Sequence, residues 1–213
     1  MVTNYMISKS TLNNSIFIVD DDESIVDSLR VYFDLLGFKT QTFSSASDYL
    51  DQLDDRQGCL ICDISMPGMT GIELLAELNK GAHLRPTLFL TGESTIKMAV
   101  EAMQLGAVDF LEKPISTEAL LEKVLDSIEQ FKPFQMAIDN FKMLTPKERK
   151  VFDLIVKGVV NNGIAEQLFM SVSTVEKHRS SVMKKMQAES LALLMEKLPK
   201  LKPLGLSLEC NNT

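Results

Sequence analysis

Residues 17–25, FIVDDDESI, pass from an apolar run directly into Asp20, Asp21 and Asp22, with Glu23 beside them. Like charges crowded at the edge of a core repel one another, so something positive should offset that cost. Three more polar residues stand at or just after apolar runs: Asp63 after CLIC, Thr91 after TLFL, and Lys113 two positions past VDFL. Asp20, Asp21 and Asp63 are hard oxygen donors. They suit Mg2+ (or Mn2+) bound by a few carboxylates, retained waters and a phosphate-like partner. A lysine such as Lys113 neutralises a phosphoryl oxygen as a point charge, and the Thr91 hydroxyl can hydrogen-bond the same group. The set suits phosphoryl transfer to a carboxylate, a reaction catalysed mostly by electrostatics and positioning. Asp63 stands alone before the loop ISMPGMTG and is the candidate nucleophile for an acyl phosphate. Taken alone, Asp20–Asp22 would fit a solvated helix start equally well. The joint presence of Asp63, Thr91 and Lys113 favours the site. Asp22 and Glu23 are assigned to the helix start.

These residues converge only if the chain folds to bring them together. Apolar runs at 15–19, 38–43, 59–62, 87–90 and 108–111 predict strands, and the mixed segments at roughly 23–36, 46–54, 71–79, 95–105 and 117–131 predict helices. That alternation is the pattern of βα units, hence an α/β fold with a parallel sheet covered by helices on both faces. Such a sheet places its site outside the carboxyl ends of its strands, where all four polar positions fall. Gly37 and Gly106 read as helix stops and Ser94 as a helix cap. Cys59 and Cys62 lie three apart on a strand and so face opposite sides. They read as core, not as a redox or metal pair.

The second part of the chain differs. Pro133 is expected to end the preceding helix near Phe131 or Lys132, and residues 132–143 read as a short, apolar, partly helical linker. From Leu144 the pattern is wholly helical. Thr145, Pro146 and Glu148 form a capping box, and Gly158 ends that helix. NGIAEQLF, VSTVEKHRSSVMKKM and ESLALLMEKL follow as helices, with a tight turn at MSVS. The arrangement reads as a helix-turn-helix plus one more helix. Charge supports the division. Residues 1–140 carry 22 acidic and 10 basic side chains, whereas residues 141–213 carry 7 and 12. A net charge of -7 therefore hides a basic C-terminal part suited to nucleic acid. No apolar run approaches the ~20 residues of a membrane span, and the N-terminus lacks a secretory pattern. A cytoplasmic protein without a membrane partner is expected.

Together, IVDDDE, ICDISMPGMTG, FLTGES and FLEKP resemble the receiver domain of two-component response regulators, over about residues 14–131. The resemblance implies a doubly wound, flavodoxin-like five-stranded sheet and a sensor histidine kinase that donates a phosphoryl group to Asp63. It implies a metal shell of Asp21, Asp20 (partly through water), Asp63 and the Ser65 backbone carbonyl. It makes Thr91 and Phe110 switch residues. Phosphorylation would then rearrange the face formed by about 94–104, the last strand and about 117–130, where receiver homodimers form. Residues 144–200 resemble the LuxR-type helix-turn-helix of FixJ and NarL regulators. That implies double-stranded DNA as partner, read by the third helix of this domain. Glu176, Lys177 and Ser180 are the base-facing candidates. Ser173 and Thr174 are suited to capping or phosphate contact, His178 and Arg179 to phosphate contact or helix packing, and Lys184 and Lys185 to phosphate contact. Ile164, Ala165, Leu168, Val172 and Val175 are the expected core. Asn162 stands where these regulators usually carry lysine, and Gly163 should weaken the helix start. The tail 201–213, with Leu201, Leu204, Leu206 and Leu208, is compatible with packing on either domain or with a loose end.

The leading reading is a phosphorylation-regulated transcription regulator, not an enzyme except for its own phosphoryl transfer and dephosphorylation. Two alternatives differ in class. A magnesium-dependent phosphohydrolase would need a general acid just after the nucleophile, where Ser65 stands. A degenerate regulator would bind DNA or protein regardless of phosphate.

Overall fold

In a computed structural model the chain divides into two units, Met1–Phe131 and Lys132–Thr213. The structure describes residues 7–80, 83–92 and 94–197. The tail 201–213, Leu198 and Cys210 lie outside them. The first unit runs α1 (Lys9–Leu12), β1 (Ser15–Val19), α2 (Glu23–Leu35), β2 (Lys39–Phe43), α3 (Ala46–Asp51), β3 (Gly58–Cys62), α4 (Gly71–Lys80), β4 (Thr87–Thr91), α5 (Ile96–Gln104) and β5 (Asp109–Glu112), then enters α6 (Thr117–Lys142). The second unit adds α7 (Pro146–Val156), α8 (Asn161–Gln167), α9 (Val172–Lys185) and α10 (Leu191–Lys197).

All strand pairs are parallel, in the order β2-β1-β3-β4-β5. The central strands are apolar at every position because both faces are covered. Successive side chains alternate between two cores. Phe17, Val19, Leu60, Cys62 and Phe89 join Leu74, Leu78 and Ala102 on one face. Ile16, Ile18, Cys59, Ile61 and Leu88 join Leu29, Phe33 and Leu120 on the other. Cys59 and Cys62 thus lie on opposite faces, both buried and free. The order reverses between β1 and β3, which places the Asp20 and Asp63 backbones side by side; Asp63 N donates to Val19 O at 2.8 Å. At β3's other end, a Cβ on Gly58 would stand 2.0 Å from Ser15 O, so only glycine permits this pairing.

Local chemistry sets the helix ends, with some departures from expectation. Asp22 caps α2, accepting Ser24 N at 2.9 Å, and Gly37 and Gly106 adopt φ +91° and +94° at the stops. Thr95, not Ser94, caps α5, accepting Met98 N at 3.2 Å, while the Ser94 hydroxyl contacts Glu112 Oε1. Pro133 does not end α6; it lies inside the helix. An interior proline costs ~3 kcal/mol. Burial of Val124 and Ile128 before it, and of Ala137, Ile138 and Phe141 after it, offsets that cost.

In the second unit Thr145 and Glu148 form the expected capping box, and the Phe141 ring meets Phe152 edge-on with centroids 5.2 Å apart. Ile164, Ala165 and Val175 are buried. Leu168 is half-buried and Val172 is exposed, contrary to the expected core, because the turn lifts the start of α9 out of the packing. Gly163 does not prevent α8 from starting at Asn161; a Cβ there would approach Val159 Cγ1 to 2.9 Å. The helix ends in a Schellman turn: Met170 N donates to Ala165 O at 2.9 Å and Phe169 N to Glu166 O at 3.3 Å. The left-handed residue of that turn is Phe169, at φ 54° and 97% exposed. Its ring recovers almost no burial for a backbone that disfavours every L side chain. Phe169→Gly should therefore stabilise the second unit by about 1 kcal/mol, read as a later midpoint in urea unfolding of the full chain.

Candidate functional site

The carboxyl edge of the sheet brings three of the four sequence positions into one cluster with defined contacts. Lys113 Nζ donates to Asp20 Oδ2 and to Asp63 Oδ1, each at 2.7 Å. The second oxygen of each carboxylate is also engaged. Asp20 Oδ1 accepts Asp22 N at 3.0 Å, and Asp63 Oδ2 accepts Ser65 N at 2.5 Å. Asp20 and Asp63 are only 5% and 6% exposed. Burial raises the Asp20 pKa, outweighing the Lys113 contact that lowers it. Burial works to lower the Lys113 pKa, but its two carboxylate partners outweigh that and hold it above the ordinary lysine value. The ammonium therefore stays charged between two acids, leaving a net negative cluster.

Thr91 is fully buried at the end of β4, and its carbonyl accepts Lys113 N at 2.8 Å. The backbone thus seats Lys113 beside Thr91. Phe110 is half-buried and packs against the core on the Cys62 side. Asp21 and Glu23 are exposed. Asp21 is not gathered with the other carboxylates: among the described residues no group of three or more His, Cys, Asp or Glu side chains converges closely enough to hold a metal.

In the second unit, Ser173, Glu176, Lys177, Ser180 and Lys184 are exposed on α9. Their spacing of three, one, three and four residues defines one helix face. Thr174, His178 and Arg179 are half-buried at its margin. Two expectations need correction. Ser171, not Ser173 or Thr174, caps α9, because its side chain accepts Thr174 N. Lys185 is not free for phosphate; its Nζ donates to Glu148 Oε2 at 2.7 Å and to Met143 O at 3.2 Å. One turn earlier, the Ser181 hydroxyl donates to Glu148 Oε1 at 2.6 Å. Burial would raise the Glu148 pKa, but Lys185, Ser181 and Thr145 outweigh it and hold it at about 2.

Comparison with known proteins separates the same two parts. Residues 16–125 match the response regulator receiver domain, and residues 142–197 match the bacterial regulatory proteins of the luxR family. The chain is 38% identical over 193 residues to the transcriptional regulatory protein FixJ of Bradyrhizobium diazoefficiens, covering 87% of this chain and 94% of that one. The chain belongs to the response regulator family. It is also 36% identical over 191 residues to the tetrathionate response regulatory protein TtrR of Salmonella typhimurium, covering 88% of this chain and 93% of the relative. Full-length FixJ from B. japonicum is a structural neighbour at 36% identity and TM-score 0.52, over 91% of this chain and 98% of that one. This response regulator combines a receiver with a LuxR-type DNA-binding domain. Its family comprises transcriptional regulators, not classical enzymes.

Two residues of the regulator escaped the sequence reading. Gly71 opens α4, where a Cβ would stand 2.2 Å from Asp63 O and 3.0 Å from both Cys62 Sγ and Phe89 Cε1. The helix therefore presses on the backbone that carries Asp63. The PGMTG segment hinted at a turn, but not at this contact. Glu148 was assigned only to a cap, yet it also ties α7 to α9 through Ser181 and Lys185.

Gly71→Ala should cost about 1–3 kcal/mol by overpacking and shift the Asp63 backbone amide, as NMR of the full chain would show. For Glu148 the folded pKa is depressed. Its stabilising contribution is therefore present above its ordinary value of 4.5 and is lost as pH falls toward about 2. In Glu148→Gln, urea unfolding at neutral pH should show a loss of about 1–3 kcal/mol. The pH dependence of stability between those two values should shrink.

Proposed function

We propose that this response regulator accepts a phosphoryl group on Asp63 from a sensor histidine kinase and, so modified, binds double-stranded DNA as a homodimer. The observation that carries the reading is the single ammonium of Lys113 bonded to both Asp20 and Asp63 in a half-enclosed acidic cluster. An Asp63 carboxylate oxygen attacks the phosphorus of the donor's phosphohistidine. The new O–P bond forms as the N–P bond breaks, and the imidazole keeps the electron pair. Lys113 is already beside the acceptor, so it neutralises a phosphoryl oxygen with little reorganisation. The Thr91 hydroxyl is the hydrogen-bond partner for the same group, and Phe110 is the ring whose packing follows it. The bias needed to move such a two-state element is a few kcal/mol. By reversal of the charge logic, the same residues position water for self-dephosphorylation.

The residues present fit a divalent cation. Magnesium needs only one or two carboxylates alongside waters and phosphate oxygens, and Asp20 and Asp63 share just one ammonium between them. Asp20, Asp21, Asp63 and the Ser65 carbonyl are the residues to hold Mg2+ or Mn2+, which would screen the charge on the phosphoryl oxygens. On DNA, Glu176, Lys177 and Ser180 face the bases from α9, Ser173, Thr174, His178 and Arg179 lie at the margin, and Lys184 contacts phosphate. Lys185 is assigned to Glu148 instead.

Incubation with a radiolabelled small-molecule phosphodonor should label the parent and leave Asp63→Asn unlabelled, and EDTA should abolish labelling of the parent. Equal labelling of both proteins would place the phosphosite elsewhere. Selection of genomic DNA fragments should enrich specific sites only with phosphodonor present; equal, sequence-independent recovery in both states would sink the switch.

A further inference from the structure

The second unit carries an open groove of about 490 Å³ among the end of α7, the start of α8, the middle of α9 and the start of α10. That is the size of a small-ligand pocket, typically ~300–1,000 Å³. Its walls are mostly apolar, from Ile155, Val159, Val160 and Leu191, with Asn162 and Arg179 as the polar members. Val160 and Leu191 are 71% and 39% exposed. Arg179 is half-buried, and its guanidinium makes no hydrogen bond or ion pair among the described residues. The groove thus offers apolar walls and one uncommitted cation.

We infer that this groove is the docking site for the chain's own segment 201–209, LKPLGLSLE, which thereby holds Arg179 away from DNA. The chemistry of that segment fits. Leu204, Leu206 and Leu208 alternate with Gly205 and Ser207, so an extended chain presents them along one edge. Glu209 is the only acid between Leu198 and Thr213 and follows the last of these leucines. It supplies the carboxylate that Arg179 lacks. Reach is sufficient. The groove is bounded by Leu191, the first residue of α10, and Lys197 is the last. That helix rises only about 10 Å, whereas residues 198–203 can span about 20 Å. The consequence for DNA rests on the proposed function, which places Arg179 at the margin of the recognition face. A seated tail competes with phosphate for it.

The native thiol Cys210 makes the test possible, because Cys59 and Cys62 are buried and unreactive. Val160 caps α8 without a side-chain bond, so Val160→Cys leaves the fold undisturbed. Mild oxidation of full-chain Val160→Cys should give a fast-migrating monomeric band on a non-reducing gel, through a 160–210 disulfide. Adding Leu204→Ser, Leu206→Ser and Leu208→Ser should slow its formation about tenfold or more as the effective concentration falls. The same triple substitution without Val160→Cys should tighten binding to a mixed-sequence DNA duplex several-fold. Absence of the monomeric cross-link, or a rate unchanged by the triple substitution, overturns the docking. A disulfide found only in dimers assigns the groove to a second copy and also overturns it. A normal cross-link with unaltered DNA affinity overturns the competition. A protein that binds no DNA with either tail refutes the DNA-binding reading, while the cross-link still decides the docking.

Discussion

The receiver depends on one electrostatic contact: the Lys113 ammonium held between the Asp20 and Asp63 carboxylates at the carboxyl edge of the sheet. Two buried acids at that distance from one cation would otherwise repel. The sheet order makes the contact possible. β1 and β3 are neighbours because the chain reverses direction across the sheet between them, so their terminal aspartates are adjacent. β5 is at the edge, two strands from β3, and its following residue reaches back over Thr91. The two apolar cores support this edge from both faces, and Gly71 lets α4 approach the Asp63 backbone where any side chain would intrude.

The DNA-binding unit has an analogous centre in Glu148. One carboxylate satisfies the start of α7 through Thr145 and then bonds Ser181 and Lys185 on α9. A buried, fully partnered charge of this kind specifies how two helices meet. It also explains why Lys185, basic and near the recognition face, does not serve DNA. Sequence position alone made it indistinguishable from Lys184. Its partner lies 37 residues away.

Much of the fold was legible because its signals are periodic or local. Apolar runs of strand length marked the sheet, and the spacing of glycines and capping residues marked most helix ends. Thr145 and Glu148 announced their capping box directly. The exceptions share a cause. Thr95 replaced Ser94 as a cap, and α6 passed through Pro133, because a neighbouring hydroxyl and distant burial decided outcomes that local propensity left balanced. Phe169 in a left-handed turn and Val172 on the surface belong to the same class.

For the site, the residue types and their places after apolar runs were enough to nominate Asp20, Asp63, Thr91 and Lys113, since a parallel sheet must present the ends of its strands together. Sequence alone also determined the family, through motifs whose chemistry is carried by residue identity. Tertiary structure decided the rest. It set Lys113 against both acids, left Asp21 exposed, pressed Gly71 onto Asp63 and withdrew Lys185 into a buried ion pair. Identity and periodicity are properties of the chain read along its length. Distance, burial and partnership between residues far apart in sequence arise only when packing brings them into contact.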